Sequence, residues 1–147
     1  MPAAFTIRVL AWREALPLAG PVRERVFVEE QKVPRELELD EWDERCEHAV
    51  ACDSRGEAIG TARLQPDGRI GRMAVLDEWR RRGVGSALLE ALLERARKRS
   101  IRRITLHAQT HAAAFYRRFG FNERGEEFLE AEIPHVEMTL ELFPARE

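Results

Sequence analysis

Lysine is almost missing from this 147-residue sequence: of its 24 basic side chains only Lys32 and Lys98 are lysine, and the others are arginine. That skew reads as a compositional bias of the genome and selects no function. Cysteine is scarce as well. Cys46 and Cys52 are too few for a disulfide framework, and neither has a histidine at a spacing typical of zinc. A reduced, cytoplasmic setting and no metal site are the expectations. Nowhere do about 18 apolar residues run together, so no membrane-spanning helix is expected. Met1 to Leu10 lacks the cationic start, long apolar run and small-residue cleavage site of a signal peptide. Repeats, low-complexity tracts and Gly/Ser-rich or Pro-rich linkers are missing too, which leaves a single domain over 1–147.

With 44% apolar and 34% charged residues, the composition is that of a globular chain rather than a disordered one. The net charge of −2 conceals two runs of opposite sign. Residues 36–47 carry Glu36, Glu38, Asp40, Glu41, Asp43, Glu44 and Glu47 against Arg45 alone, a run that would attract a cation. Residues 80–103 hold nine bases against Glu90 and Glu94, a run that would attract an anion. Each also reads as an ordinary solvated face. No aromatic residues interleave with the basic run, so nucleic-acid binding is not expected.

Phe5 to Ala11 alternates apolar and polar residues and is predicted as a strand. Pro21 suits the first position of a helix, predicted over Val22 to Gln31, and the acidic run after it is predicted as a loop. Strands near 48–53 and 57–65 form a hairpin about Ser54-Arg55-Gly56. Pro66-Asp67-Gly68 turns the chain into a third strand at 69–76, because proline fixes φ and glycine accepts a positive one. Val84, Leu88, Leu89, Leu92, Leu93 and Ala96 then fall on one helical stripe, with Arg95, Arg97, Lys98 and Arg99 at its C-terminal end. That helix connects to a strand at 103–109, which implies a parallel crossover. A short helix at 112–119 ended by Gly120, and strands near 121–128 and 136–142, complete the chain. The class is α/β: a mixed, partly antiparallel sheet with helices.

Arg80-Arg81-Arg82-Gly83-Val84-Gly85 falls between a strand and a helix. Its glycines let backbone approach a ligand, and the helix N-terminus offers unpaired N–H groups at a positive dipole end. Arginines beside such a nest suit a diphosphate. A Walker loop fits poorly because no lysine follows Gly85. A dinucleotide fingerprint fits poorly too, because Leu88 stands at the third glycine and Arg102-Arg103 where the acid belongs.

Arg80-x-x-Gly83-x-Gly85 after the strand Ile70 to Val75 resembles the pyrophosphate motif of the GNAT N-acetyltransferase superfamily. Phe115-Tyr116-Arg117-Arg118-Phe119-Gly120-Phe121 is similar to that family's second signature, with Arg117 where many relatives carry glutamate. Phe27 to Gln31 and Ile133 to Met138 are further similar to its ElaA-like branch, and the likeness runs from about Val22 to Leu142. The resemblance implies a mostly antiparallel sheet with a central parallel pair that splays near Val75 and Gln109, flanked by helices. It implies acetyl-CoA as cosubstrate and a primary amine of a small molecule or peptide as acceptor, a cationic one being suggested by the 36–47 run. A homodimer is a common default. By the same resemblance Met73, Ala74 and Val75 would hold the pantetheine arm, and Arg80, Arg81, Arg82, Gly83, Val84, Gly85 and Ser86 the pyrophosphate. Gln109 and Phe115 would also face the cofactor.

An alkylammonium has a pKa near ~10.4, so at pH 7 roughly one molecule in a few thousand is the nucleophilic amine, a deficit of about 4–5 kcal/mol. The site therefore needs a proton acceptor, a desolvating pocket, or both. Tyr116, the one tyrosine, falls at the family's general-acid position. Glu29, Glu30, His48 and His135 are candidate bases, His135 first, with a water relay as the alternative and Glu30 also a counter-ion for the ammonium. Cys46 in its acidic context and Cys52 in a strand are poor nucleophiles, so direct transfer is expected. The competing reading is a CoA-binding sensor or interaction domain without turnover.

Overall fold

The computed structural model describes residues 4–142. β1 (Phe5–Ala11) leads into α1 (Trp12–Arg23), a π-helical turn (Glu24–Glu30) and α2 (Arg35–Glu38). A 3-10 turn (Asp43–Arg45) then precedes β2 (Glu47–Asp53), β3 (Ala58–Leu64) and β4 (Arg69–Val75). After a second 3-10 turn (Asp77–Trp79) come α3 (Val84–Lys98), β5 (Arg103–Gln109), a third 3-10 turn (Thr110–Ala112) and α4 (Ala113–Arg117). β6 (Asn122–Glu130) and β7 (Ile133–Glu141) follow. All seven strands make one sheet in the order β1-β2-β3-β4-β5-β7-β6, antiparallel everywhere except β4–β5. No helix among the described residues is long and apolar enough to cross a membrane.

Strand alternation decides which helix covers which face. Val50 and Cys52 of β2 pack with Ala15 and Ala19 of α1, while Ala49 and Ala51 join Leu88, Leu89 and Leu92 of α3. The two helices thus sandwich the sheet. α3 sits close: a Cβ on Gly60 would stand 2.9 Å from Val84 Cγ1. Each fully buried leucine of α3 contributes about 1.5–3 kcal/mol of apolar burial.

The first helix departs from the prediction. It begins at Trp12, not Val22, and runs through Pro17 and Pro21. Both prolines lie on the exposed side of the helix, while Ala15, Ala19 and Val22 face inward. The last hairpin departs too. β6 extends to Glu130 and β7 starts at Ile133, joined through Ala131 and Glu132 at φ +50 and +63. Two residues in that conformation make the tight turn whose twist matches the strands. Without Asn-Gly the sequence does not announce it.

The acidic run is not a plain loop, and its central carboxylates turn inward. Arg23, only 1% exposed, donates from Nε to Glu38 and through both terminal nitrogens to Asp43 at 2.8 and 3.1 Å. Arg63 binds the same Asp43 at 2.9 Å and Asp40 at 2.7 and 2.9 Å. Much of the run's negative charge is therefore neutralised inside the protein.

Candidate active site

The site begins where the sheet opens. β4 and β5 pair only at Arg69–Thr105 and Ile70–Leu106, and beyond that point they part. Toward β3, β4 accommodates one extra residue: Thr61 opposes Ala74 while Arg63 opposes Gly71. This bulge contains Arg72 at φ +49. A bulge re-aims the strand that carries it, and here it precedes Met73, Ala74 and Val75. They form the β4 side of the opening, with Gln109 at the end of β5 across from them.

Gly83 caps α3 in the left-handed region, φ +84 and ψ 6, and Arg81 has φ +65. The first helical bond runs from the Ala87 N–H to the Gly83 carbonyl at 3.0 Å, and no side chain caps the end. The N–H groups of Val84, Gly85 and Ser86 are left to an outside acceptor, at the positive end of a 15-residue helix. Arg81 and Arg82 are exposed beside them, the latter stacked on Trp79 at 5.2 Å. Arg80 behaves differently. Its Nε donates to the Val75 carbonyl at 3.0 Å, and its two terminal nitrogens grip the Glu30 carboxylate at 2.8 Å each. Its fork is already engaged, so Arg80 ties the loop to β4 and to the π-helical turn.

Three chain segments meet behind the loop. A Cβ on Gly85 would stand 3.6 Å from Phe115 Cζ and 4.0 Å from Met73 Sδ. The Tyr116 hydroxyl donates to that sulfur at 3.7 Å, a weak acceptor. Phe115 and Tyr116 pack edge to face at 5.0 Å, and Phe121 backs the tyrosine. Burial pushes the Tyr116 hydroxyl up to about 12, so it stays protonated.

A second group lies on the sheet face opposite α3. Gln109 is in register with His135, donates to Gln31 at 3.0 Å and lies 2.7 Å from His111 Nε2. His135, 7% exposed, donates from Nδ1 to the Ile133 carbonyl at 2.6 Å, which leaves Nε2 as the ring nitrogen free of that bond. Glu130 stands 3.7 Å from that Nε2 and 2.9 Å from His107 Nδ1, and Phe128 stacks on His135. Burial would raise the Glu130 carboxyl, but His107, His135 and Arg69 hold it below its ordinary value.

The other candidate bases are placed elsewhere or engaged. Glu30 is drawn to the opening as the partner of Arg80, whose hydrogen bonds hold its carboxyl below the usual range. A carboxylate so paired is a weak proton acceptor. His48 is buried against Trp12 at 4.7 Å and donates to the Asp43 carbonyl at 2.8 Å. Burial lowers its pKa and keeps it neutral. It serves the core. Glu29 is exposed. Cys46 and Cys52 are buried, and burial pushes the Cys46 thiol up to about 11. Gln31, Arg72 and Glu130 escape the sequence reading: the first looks like a helix end, the second like a strand residue, and the third falls beyond the predicted strand. Concavities of about 610 and 330 Å³ lie beside the C-terminal half of α3 and around Arg99, away from the glycine loop.

The domain profile described as "Acetyltransferase (GNAT) domain" matches residues 15–142. The uncharacterized N-acetyltransferase YjcF of Bacillus subtilis (strain 168) is 40% identical over 129 residues, covering 85% of this chain and 91% of its own. The crystal structure of Escherichia coli ElaA superposes with a TM-score of 0.82 at 28% identity, over 91% of this chain and 98% of that one. An acyl-CoA N-acyltransferase from Pseudomonas aeruginosa gives 0.79 at 31% identity, over 92% and 99%. With a parted parallel pair, an uncapped glycine loop and these relatives, the chain belongs to the GNAT acetyltransferase family.

Proposed function

We propose that this protein transfers an acetyl group from acetyl-CoA directly to a primary amine of a small molecule or peptide in the cytoplasm. The observation that carries the reading is the free row of N–H groups at Val84, Gly85 and Ser86, set against Met73, Phe115 and Tyr116 at the opening of the sheet. The cradle fits a diphosphate: its amides have no internal acceptor, Gly83 leaves the approach open, and Arg81 and Arg82 flank it. Acetyl-CoA would supply the acyl thioester.

The chain's own residues supply the rest. Backbone N–H groups along Met73 to Val75 stabilise the negative charge that develops on the acyl oxygen. The amine nitrogen bonds to the acyl carbon, the carbon–sulfur bond breaks, and the amine's proton leaves to a base. His135 suits that role through Nε2, the ring nitrogen not committed to the Ile133 carbonyl, with Glu130 beside it to stabilise the imidazolium. Tyr116 stabilises the departing thiolate. Its hydroxyl now rests on a thioether sulfur, so exchanging that acceptor for a thiolate sacrifices little. Phe115 floors the loop, Gln109 offers a hydrogen bond at the far side of the opening, and Glu30 fixes Arg80.

The test is release of free CoA from acetyl-CoA with a panel of primary amines, including polyamines, aminoglycosides and peptide N-termini. Turnover on at least one acceptor is expected. Micromolar binding of CoA with no turnover on any of them would replace the enzyme by a CoA-binding sensor.

A further inference from the structure

We infer that Arg72 is a positioning residue of the reaction, clamping the segment at 35–40 onto the β4 bulge so that Met73 and Ala74 are held for the thioester. The inference rests on the acetyltransferase reading above and adds a part to it.

Arg72 has a backbone conformation that side chains other than glycine adopt rarely, at φ +49. It occurs where β4 gains its extra residue, between Gly71 and Ala74. The side chain then leaves the strand and binds a single neighbour. Its Nε donates to the Glu38 carbonyl at 3.0 Å, and one terminal nitrogen donates to the Leu37 carbonyl and to the Asp40 carboxylate, each at 3.2 Å. Those two carbonyls end α2, a four-residue helix whose last carbonyls have no partner within so short an element. A guanidinium meets both at once.

The neighbour is itself anchored from below. Glu38 and Asp43 bind the buried Arg23, and Asp40 and Asp43 bind Arg63 on β3, directly across from Gly71. One charge network therefore joins α1, the 35–43 segment, β3 and the bulge. Met73 is the next residue in the chain and carries the sulfur that the Tyr116 hydroxyl touches. Releasing Arg72 frees the bulge on one side and the segment on the other. The main-chain geometry at Met73 and Ala74 is what suffers.

The experiment compares Arg72→Ala, Arg72→Gly and Arg72→Lys with wild type. Hydrogen exchange, which needs no turnover, is followed on peptides covering 35–40 and 71–76. Arg72→Ala and Arg72→Gly should speed exchange in both peptides by about tenfold or more while α3 keeps its protection. Their kcat should fall about ten- to a hundredfold, with acetyl-CoA affinity changed by less than about threefold. Glycine removes the left-handed strain, so Arg72→Gly should regain stability relative to Arg72→Ala without regaining kcat. Arg72→Lys should recover only part, since an ammonium cannot span two carbonyls and a carboxylate as a planar fork does. Unchanged exchange at 71–76, or a kcat that returns with stability in Arg72→Gly, overturns the assignment. Variants that exchange faster as described, beside a wild type that releases no CoA with any amine, refute the acetyltransferase reading instead, and with it the catalytic role.

Discussion

Tyr116 is kept protonated by its own surroundings. Burial between Phe115, Phe121 and Met73 pushes its hydroxyl up to about 12, far above neutral pH. Under the proposed reaction the donor is therefore present across the neutral range, while the amine gains its nucleophilic form as pH rises. The rate at low amine should climb with pH and show no falling limb before about pH 11. A falling limb centred near pH 9 would contradict a desolvated tyrosine. Tyr116→Phe should lower kcat by about 10²-fold and leave acetyl-CoA affinity within about threefold, read by steady-state kinetics and calorimetry. The substitution keeps the ring and its packing, so an unchanged kcat removes Tyr116 from the chemistry.

At the scale of elements, the start of α3 and the buried charge network make separate predictions. Gly83 faces open space, and a Cβ there meets nothing within 4 Å, but φ is +84. Valine at this position is strained by about 1–3 kcal/mol and twists the amides that follow. Gly83→Val should abolish acetyl-CoA binding in calorimetry while the circular-dichroism spectrum stays that of the wild type. The network's prediction concerns acid. Burial alone would raise the Asp43 carboxyl, but hydrogen bonds and charge from Arg23 and Arg63 outweigh it and hold it below its ordinary 3.8. A pKa depressed on folding gives stability that is present above 3.8 and is lost as pH falls through the folded value. Asp43→Asn should reduce stability at pH 7 by about 3–5 kcal/mol and flatten the loss of Tm below about pH 4. A Tm at pH 7 equal to that of wild type would show that the network stabilises nothing.

On the scale of the molecule, the opening divides the sheet into two unequal parts, β1–β4 under α1 and α3 and β5-β7-β6 beyond them. Only two residue pairs bridge β4 and β5. A ligand that enters the opening supplies contacts that the sheet lacks there, and it binds only the folded state. At a hundred times its Kd, acetyl-CoA should stabilise the fold by about 2.7 kcal/mol. For a chain of this size that is roughly 5–11 °C in Tm. Thermal melts with and without acetyl-CoA check this, and the shift should vanish in Gly83→Val.

Local pattern determined much of this protein. The ranges of β1 and β5, the stripe of α3, the glycine loop and the aromatic pair at 115–116 all follow from neighbours close in sequence, where periodicity and φ preferences act directly. Family resemblance added the meaning of the loop and the parting of β4 from β5. Tertiary structure decided what depends on partners far along the chain. Whether prolines interrupt α1 depended on which side met water. Whether the acids of 36–47 faced outward depended on Arg23, Arg63 and Arg72 arriving from three other elements. Glu30 and Arg80, 50 residues apart, each seemed free for a ligand until folding gave them to each other. A charge is available for function only when no closer counter-charge claims it, and that distance is set in three dimensions.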